Sequence, residues 1–321
     1  MLSRYAKVVC AMFSQQKEYT VQKLASGLCH GKSTRWQAGK LYVSDMIGEK
    51  VYSIDAAGHK TVIALQPNKP NGLGFLPNGD LILSSMLENK LYRYRPHAPV
   101  GDNLELYADL CGLFSGYIGD MLIDDNGRIY VNDVGARIFE GEGLKPGRIG
   151  VVEPDGTCKV GLENCHFPNG IAITPDKKRL VFAETFLEQL STVDIVDGQL
   201  VNRRIFLDMT TVFASEEDRA FKRGCVEGLT VDAEGGLWLC VLHAEQCVRV
   251  DTEGNVTDRV HIPGHKVVAC TLGGEDGKTL FISASQIKGT HKNLFEALVA
   301  RDIEATIFTT RVAVGRGDAR P

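Results

Sequence analysis

The sequence predicts an all-β fold, a six-bladed β-propeller, and three observations predict it. First, a motif of a small turn followed by alternating apolar residues recurs six times: GKLYVSD at Gly39, GDLILSS at Gly79, GRIYVND at Gly127, KRLVFAE at Lys178, GGLWLCV at Gly235 and KTLFISA at Lys278. Second, the later copies are each preceded by another short apolar run and a turn, and several are followed by a third run closed by a D-G or E-G pair, as in RIGVVEPDG from Arg148 and CVRVDTEG from Cys247. That is hairpin chemistry. Third, the repeat is roughly 40 to 57 residues with about four short strands and no helical periodicity near 3.6, which describes a propeller blade.

Length alone leaves two domains or one large β architecture open for 321 residues,. The repeat decides for one domain, spanning residues 19–321, with residues 1–18 as an N-terminal extension expected to form a short helix. The tail strand TIFTTRVAVG (306–315) is expected to pair with YTVQKLASG (19–27), closing the ring and removing its exposed edges,. The 34 glycines serve the hairpin turns. Lys and Arg total 36 against 40 Asp and Glu, which offers no footprint for nucleic acid or an anionic membrane and points to a small-molecule substrate,. Nine cysteines, none in a CxxC pair, read as free thiols of a cytoplasmic protein rather than a disulfide framework or zinc site,. A monomer or homodimer is expected.

With the repeated motif taken as the inner strand of each blade, the segments just before it converge at one mouth of the central tunnel. They are GKSTRW (31–36), KPNGLGF (69–75), YIGDML (117–122), FPNGIA (167–172), CVEGLT (225–230) and KVVACTLGG (266–274). Asp45 and Asp133, at motif ends, read as turn-fixing, and Trp36 and Trp238 as blade-to-blade packing. The charged insertion FASEEDRAFKRG (213–224) and the stretch 285–302, where Leu294, Leu298 and Val299 allow a short helix, are expected as loops on a propeller face or as a subunit contact.

GKSTRW, FPNGIAITPD followed by RLVFAET, VEGLTVDAEGGLWLC and ACTLGGEDGKTLFISA resemble the senescence marker protein and gluconolactonase family, which includes regucalcin, over about residues 20–315. The resemblance implies a six-bladed propeller that hydrolyses lactones or related esters with one divalent cation, Ca, Mg or Zn, in the tunnel. It also implies where the ligands fall. The family's first Glu falls at Lys32 and the Asn of its N-D pair at Gly119, followed by Asp120. The Asn of P-N-G is kept as Asn169, and the fifth-blade Asp falls at Glu227. Metal ligands, if any, would be Asn169 and Glu227. A hard cation wants carboxylate and amide oxygens, and an ammonium at Lys32 repels it, so no cofactor is expected and Lys32 is expected to pair with Glu227 instead.

Two classes of function stay open at this point. One is a small-molecule enzyme acting on a lactone or other cyclic carbonyl compound by hydrolysis, or by metal-free isomerisation, elimination or cyclisation. In it Glu227 moves the proton, Lys32 polarises the carbonyl, Asp120 and His243 assist, and Asn169, Asn71, His265 and His166 line the substrate pocket. Strictosidine synthase, a related propeller that works through a Glu without metal, shows by analogy that the architecture allows this. A Schiff base at Lys32 is disfavoured because a neighbouring carboxylate raises an amine's pKa. The other class is a non-catalytic propeller that binds a ligand or protein, marked by a tunnel mouth filled with apolar side chains.

Overall fold

The computed structural model describes residues 16–317. Those residues form a six-bladed β-propeller of six antiparallel sheets. Blade 1 runs Gly31–Gln37, Lys40–Asp45, Lys50–Ile54 and Lys60–Leu65, and blade 2 runs Pro70–Phe75, Leu81–Ser85, Lys90–Tyr94 and Leu104–Asp109. Blade 3 starts at Ile118–Ile123, blade 4 at Pro168–Ile173, blade 5 at Val226–Val231 and blade 6 at Lys266–Gly273. These six first strands contact one another in a ring around the axis. The repeated motif is therefore the second strand of each blade and not the innermost. Its alternation misleads because both faces of first and second strands are buried, so the two read alike.

The ring closes in blade 6, where Gln22–Leu28 pairs antiparallel with Ile303–Arg311. Lys17–Tyr19 adds a parallel fifth strand to the outer edge of blade 5, on Val256–His261. The helix expected before it falls largely on residues 1–15, outside the described residues.

Alternation explains the core. In GRIYVND, Ile129 and Val131 face the blade 2 junction while Tyr130 faces blade 4, so each strand feeds two interfaces. Six apolar clusters fill the six blade junctions. Trp36 stacks on Phe281 at 5.0 Å between blades 1 and 6, and Trp238 lies buried between blades 5 and 6. The turn before the third-blade motif needs a left-handed residue, supplied by Gly127 at φ 83°, a conformation costly for residues with a Cβ,. No helix among the described residues is long and apolar enough to cross a membrane.

Candidate active site at the tunnel mouth

Each innermost strand is interrupted near its second residue by a bulge. Ser33 is skipped between paired Lys32 and Thr34; Asn71 and Gly72 lie between paired Pro70 and Leu73. The same break falls at Gly119–Asp120, Asn169–Gly170, Glu227–Gly228 and Val268. A bulge re-aims a side chain and leaves backbone groups unpaired. The freed carbonyls are taken up by the neighbouring blade. Ser44 donates to Asn71 O at 2.5 Å, Ser84 to Gly119 O at 3.2 Å, Thr185 to Val226 O at 2.7 Å, Ser283 to Gly31 O at 2.8 Å, and Asn132 Nδ2 to Asn169 O. The glycine after the bulge residue permits this closeness: a Cβ at Gly170 would lie 2.6 Å from Leu229 N of the next blade.

The bulges bring Lys32, Asn169 and Glu227 together. The Lys32 ammonium is ion-paired and hydrogen-bonded to Glu227 Oε2, and lies 3.4 Å from Asn169 Oδ1. The Lys32 and Glu227 side chains are 11% and 12% exposed, so the pair is largely desolvated yet reachable. Asn169 is oriented from behind. Its Nδ2 donates to Thr185 Oγ1 at 3.3 Å, and Thr185 in turn donates to Val226 O, so the amide oxygen faces Lys32.

Asp120 belongs to a second pair, with Arg35. Its Oδ1 accepts from Ser33 Oγ at 2.9 Å, Arg35 Nη2 at 3.1 Å and Met121 N at 2.9 Å, and Arg35 Nη2 also donates to Met121 O. Asn71 is buried with Oδ1 unpartnered, its Nδ2 nearest the sulfurs of Met86 at 3.7 Å and Met46 at 4.0 Å. His243 lines a groove between the segments carrying helices Glu216–Ala220 and Leu294–Ala300, shared with Phe221, Lys266 and Leu294. Burial, then the Lys266 charge, pushes its pKa down, and its buried Nδ1 has no partner. His265 faces Phe308 edge-on at 5.2 Å, with Nδ1 2.9 Å from Pro263 O. His166 is exposed, its backbone N–H bonded to Glu184. Neither of these two hydrogen-bonds to Lys32, Asn169 or Glu227.

Four residues beneath or behind the site carry no role in the sequence reading: Arg35, Asn132, Thr185 and His30. His30 is 3% exposed with Nδ1 2.9 Å from Ser285 Oγ; burial first, then the Lys32 charge, lowers its pKa to about 3, so it is neutral at physiological pH. Asp45 and Asp133 do fix turns: Asp45 accepts from the Cys29, His30 and Gly48 amides, and Asp133 from Ser115, Gly116 and Gly135.

Residues 30–286 match the SMP-30/Gluconolactonase/LRE-like region. The chain belongs to that family. Among relatives, regucalcin of Danio rerio is 27% identical over 42% of this chain and 44% of its own length. A 6-deoxy-6-sulfogluconolactonase of Pseudomonas putida is 22% identical over 90% of this chain and 91% of its own. The chain thus spans under half of the first and nearly all of the second. Regucalcin of Agrobacterium tumefaciens, a calcium-binding protein, superposes with a TM-score of 0.73 at 20% identity over 94% of this chain and 97% of its own. A luciferin-regenerating enzyme gives 0.76 at 15% identity over 93% and 97%.

The SMP-30/Gluconolactonase/LRE-like family implies a divalent cation, and the donor set tests whether one fits. The two oxygens that would hold it, on Asn169 and Glu227, both face the Lys32 ammonium, and Gly119 contributes no side chain. A dication among them would meet a fixed positive charge at a few ångströms, a repulsion of several kcal/mol at intermediate dielectric. The residues present do not fit the cation. A separate trio of buried thiols, Cys240, Cys247 and Cys270, lies between blades 5 and 6 with sulfur atoms within 4.8 Å of one another.

Proposed function

We propose that the protein hydrolyses a lactone or closely related cyclic carbonyl compound at the tunnel mouth without a metal, using Lys32 and Glu227. The observation that carries this reading is the Lys32 ammonium seated against Glu227 and Asn169, where the family places its cation. Membership of the family, and the lactonase named among its relatives, support the substrate class.

Water adds to the substrate carbonyl carbon while its proton passes to the Glu227 carboxylate. The electron pair moves onto the carbonyl oxygen, which the Lys32 ammonium stabilises in a site held at low dielectric by burial. Collapse re-forms the carbonyl and breaks the ring C–O bond, and the leaving oxygen takes the proton back from Glu227. Asn169 holds the ammonium in place, and Asp120, through Arg35 and Ser33, fixes the first-blade bulge that presents Lys32. His243, neutral and on the adjoining groove, lies where a substrate approaches. Asn71 lies buried behind the Met46 and Met86 sulfurs, and it and the two histidines, His166 and His265, take no part in the step.

The test is lactone hydrolysis before and after exhaustive chelation. Unchanged turnover, lost in Lys32→Met, supports the reading. Turnover abolished by chelation and restored by a divalent cation overturns the metal-free step, and a folded protein inert toward every lactone and ester offered overturns the hydrolase assignment.

A further inference from the structure

The residue that follows the repeated motif occupies an equivalent place in five blades. Its N–H donates to the carbonyl of the residue preceding the innermost strand: Met46 to His30, Met86 to Lys69, Val134 to Tyr117, Thr185 to Phe167 and Leu242 to Cys225. These five residues form a collar, and contacts place four of them directly on the bulge ring. Met46 and Met86 touch Asn71, Thr185 bonds Asn169, and Val134 Cγ1 lies 3.5 Å from where a Gly119 Cβ would stand. Four of the five are apolar, and the one polar member is already bonded to Asn169.

Beyond the collar the covering is largely apolar, with the Lys69 ammonium over the Phe139 ring at 5.1 Å. Met46, Met86, Tyr117, Val134 and Leu298 belong to one buried cluster that also takes in Phe139 and Phe167. Phe139, in a blade 3 loop, meets Phe295 of the blade 6 helix at 5.5 Å, so segments of two opposite blades touch on this face. The polar ends turn outward, with Tyr117 Oη on Glu140. Phe221, 63% exposed, lines the groove it shares with His243 and Leu294.

A polyol needs a donor or acceptor for each hydroxyl, and every one buried without a partner costs about 1–3 kcal/mol. An apolar ring or chain needs none and gains roughly 25 cal/mol for each Å² removed from water. We infer that the substrate of this site is a cyclic carbonyl compound bearing an aryl or alkyl group against the collar, and not a sugar lactone. The inference rests on the proposed lactone chemistry for its reacting group and on the collar for everything else.

Paired probes separate the two. Hydrolysis of dihydrocoumarin is expected to exceed that of glucono-δ-lactone in kcat/KM by about 100-fold or more, the order a few misplaced polar groups produce. Binding of the unreactive lactams, 3,4-dihydroquinolin-2-one and gluconolactam, reports the pocket independently of turnover. The aryl lactam is expected to bind wild type, and about tenfold more weakly to Met86→Gln and to the near-isosteric Val134→Thr, each checked for an unchanged melting profile. Gluconolactam binding as well as the aryl lactam, or neither lactam binding, overturns the inference even where lactones are hydrolysed. Selective binding of the aryl lactam with no hydrolysis of any lactone upholds it and sinks the hydrolase reading instead.

Discussion

Lys32 and Glu227 occupy the same position, second residue of the innermost strand, in blades 1 and 5, and their charged ends meet across the tunnel although 195 residues separate them. Ring closure creates the contact. Removing one partner leaves a largely buried charge alone, whereas removing both leaves none. Lys32→Met and Glu227→Gln are each expected to lower kcat/KM by at least about 100-fold and to destabilise by about 1–3 kcal/mol. The double variant is expected to recover part of that stability and none of the activity. Full activity in either single variant would remove the pair from the mechanism, as denaturation midpoints and initial rates together report.

The proposed exclusion of a cation by the Lys32 ammonium can be reversed by substitution. A Cβ at Gly119 meets nothing closer than 3.5 Å, so the position accepts the first atom of an Asn side chain in ordinary contact. Lys32→Glu combined with Gly119→Asn presents two carboxylates and two amides to one point. Calcium titration calorimetry is expected to show one site per chain with a Kd of about 10⁻⁴ M or tighter in the variant and no binding in wild type. Equal binding in both proteins would show that Lys32 does not keep the cation out.

Much of this was legible in the sequence, and the part that was not has physical reasons. Blade number follows from a motif repeated six times, and Lys32 and Glu227 stand out because the family resemblance puts its metal-ligand positions on them. The order of strands within a blade was misread because first and second strands are both buried on two faces. Thr185 and the collar lie one residue past the motif, a position whose meaning appears only when the blades are superposed. Arg35 finds Asp120, and His30 finds Ser285, through contacts 85 and 255 residues apart that no local pattern encodes.

In the proposed reaction Thr185 acts through Asn169. Without its hydroxyl the amide can turn its Nδ2 toward the Lys32 ammonium, and Val226 O loses its donor. Thr185→Val is therefore expected to lower kcat/KM by about tenfold, chiefly in kcat, and to cost about 1–2 kcal/mol of stability. Thr185→Ser keeps the hydroxyl and should restore both. An unchanged rate in Thr185→Val beside a lowered stability would make the residue purely structural.

His30 gives the protein an acid sensitivity of defined sign. Its pKa is lowered from 6.5 to about 3, so between those values the unfolded imidazole takes up a proton that the folded one refuses,. Above pH 6.5 both forms are neutral and the group contributes no slope. As pH falls through the window, folding loses stability, by about 2 kcal/mol at pH 5. Denaturation midpoints from pH 7.5 to 5 should therefore fall more steeply for wild type than for His30→Gln, whose side chain cannot titrate. Parallel slopes in the two proteins would mean that the buried ring accepts its proton in the folded state, with Ser285 accommodating it against the Lys32 charge.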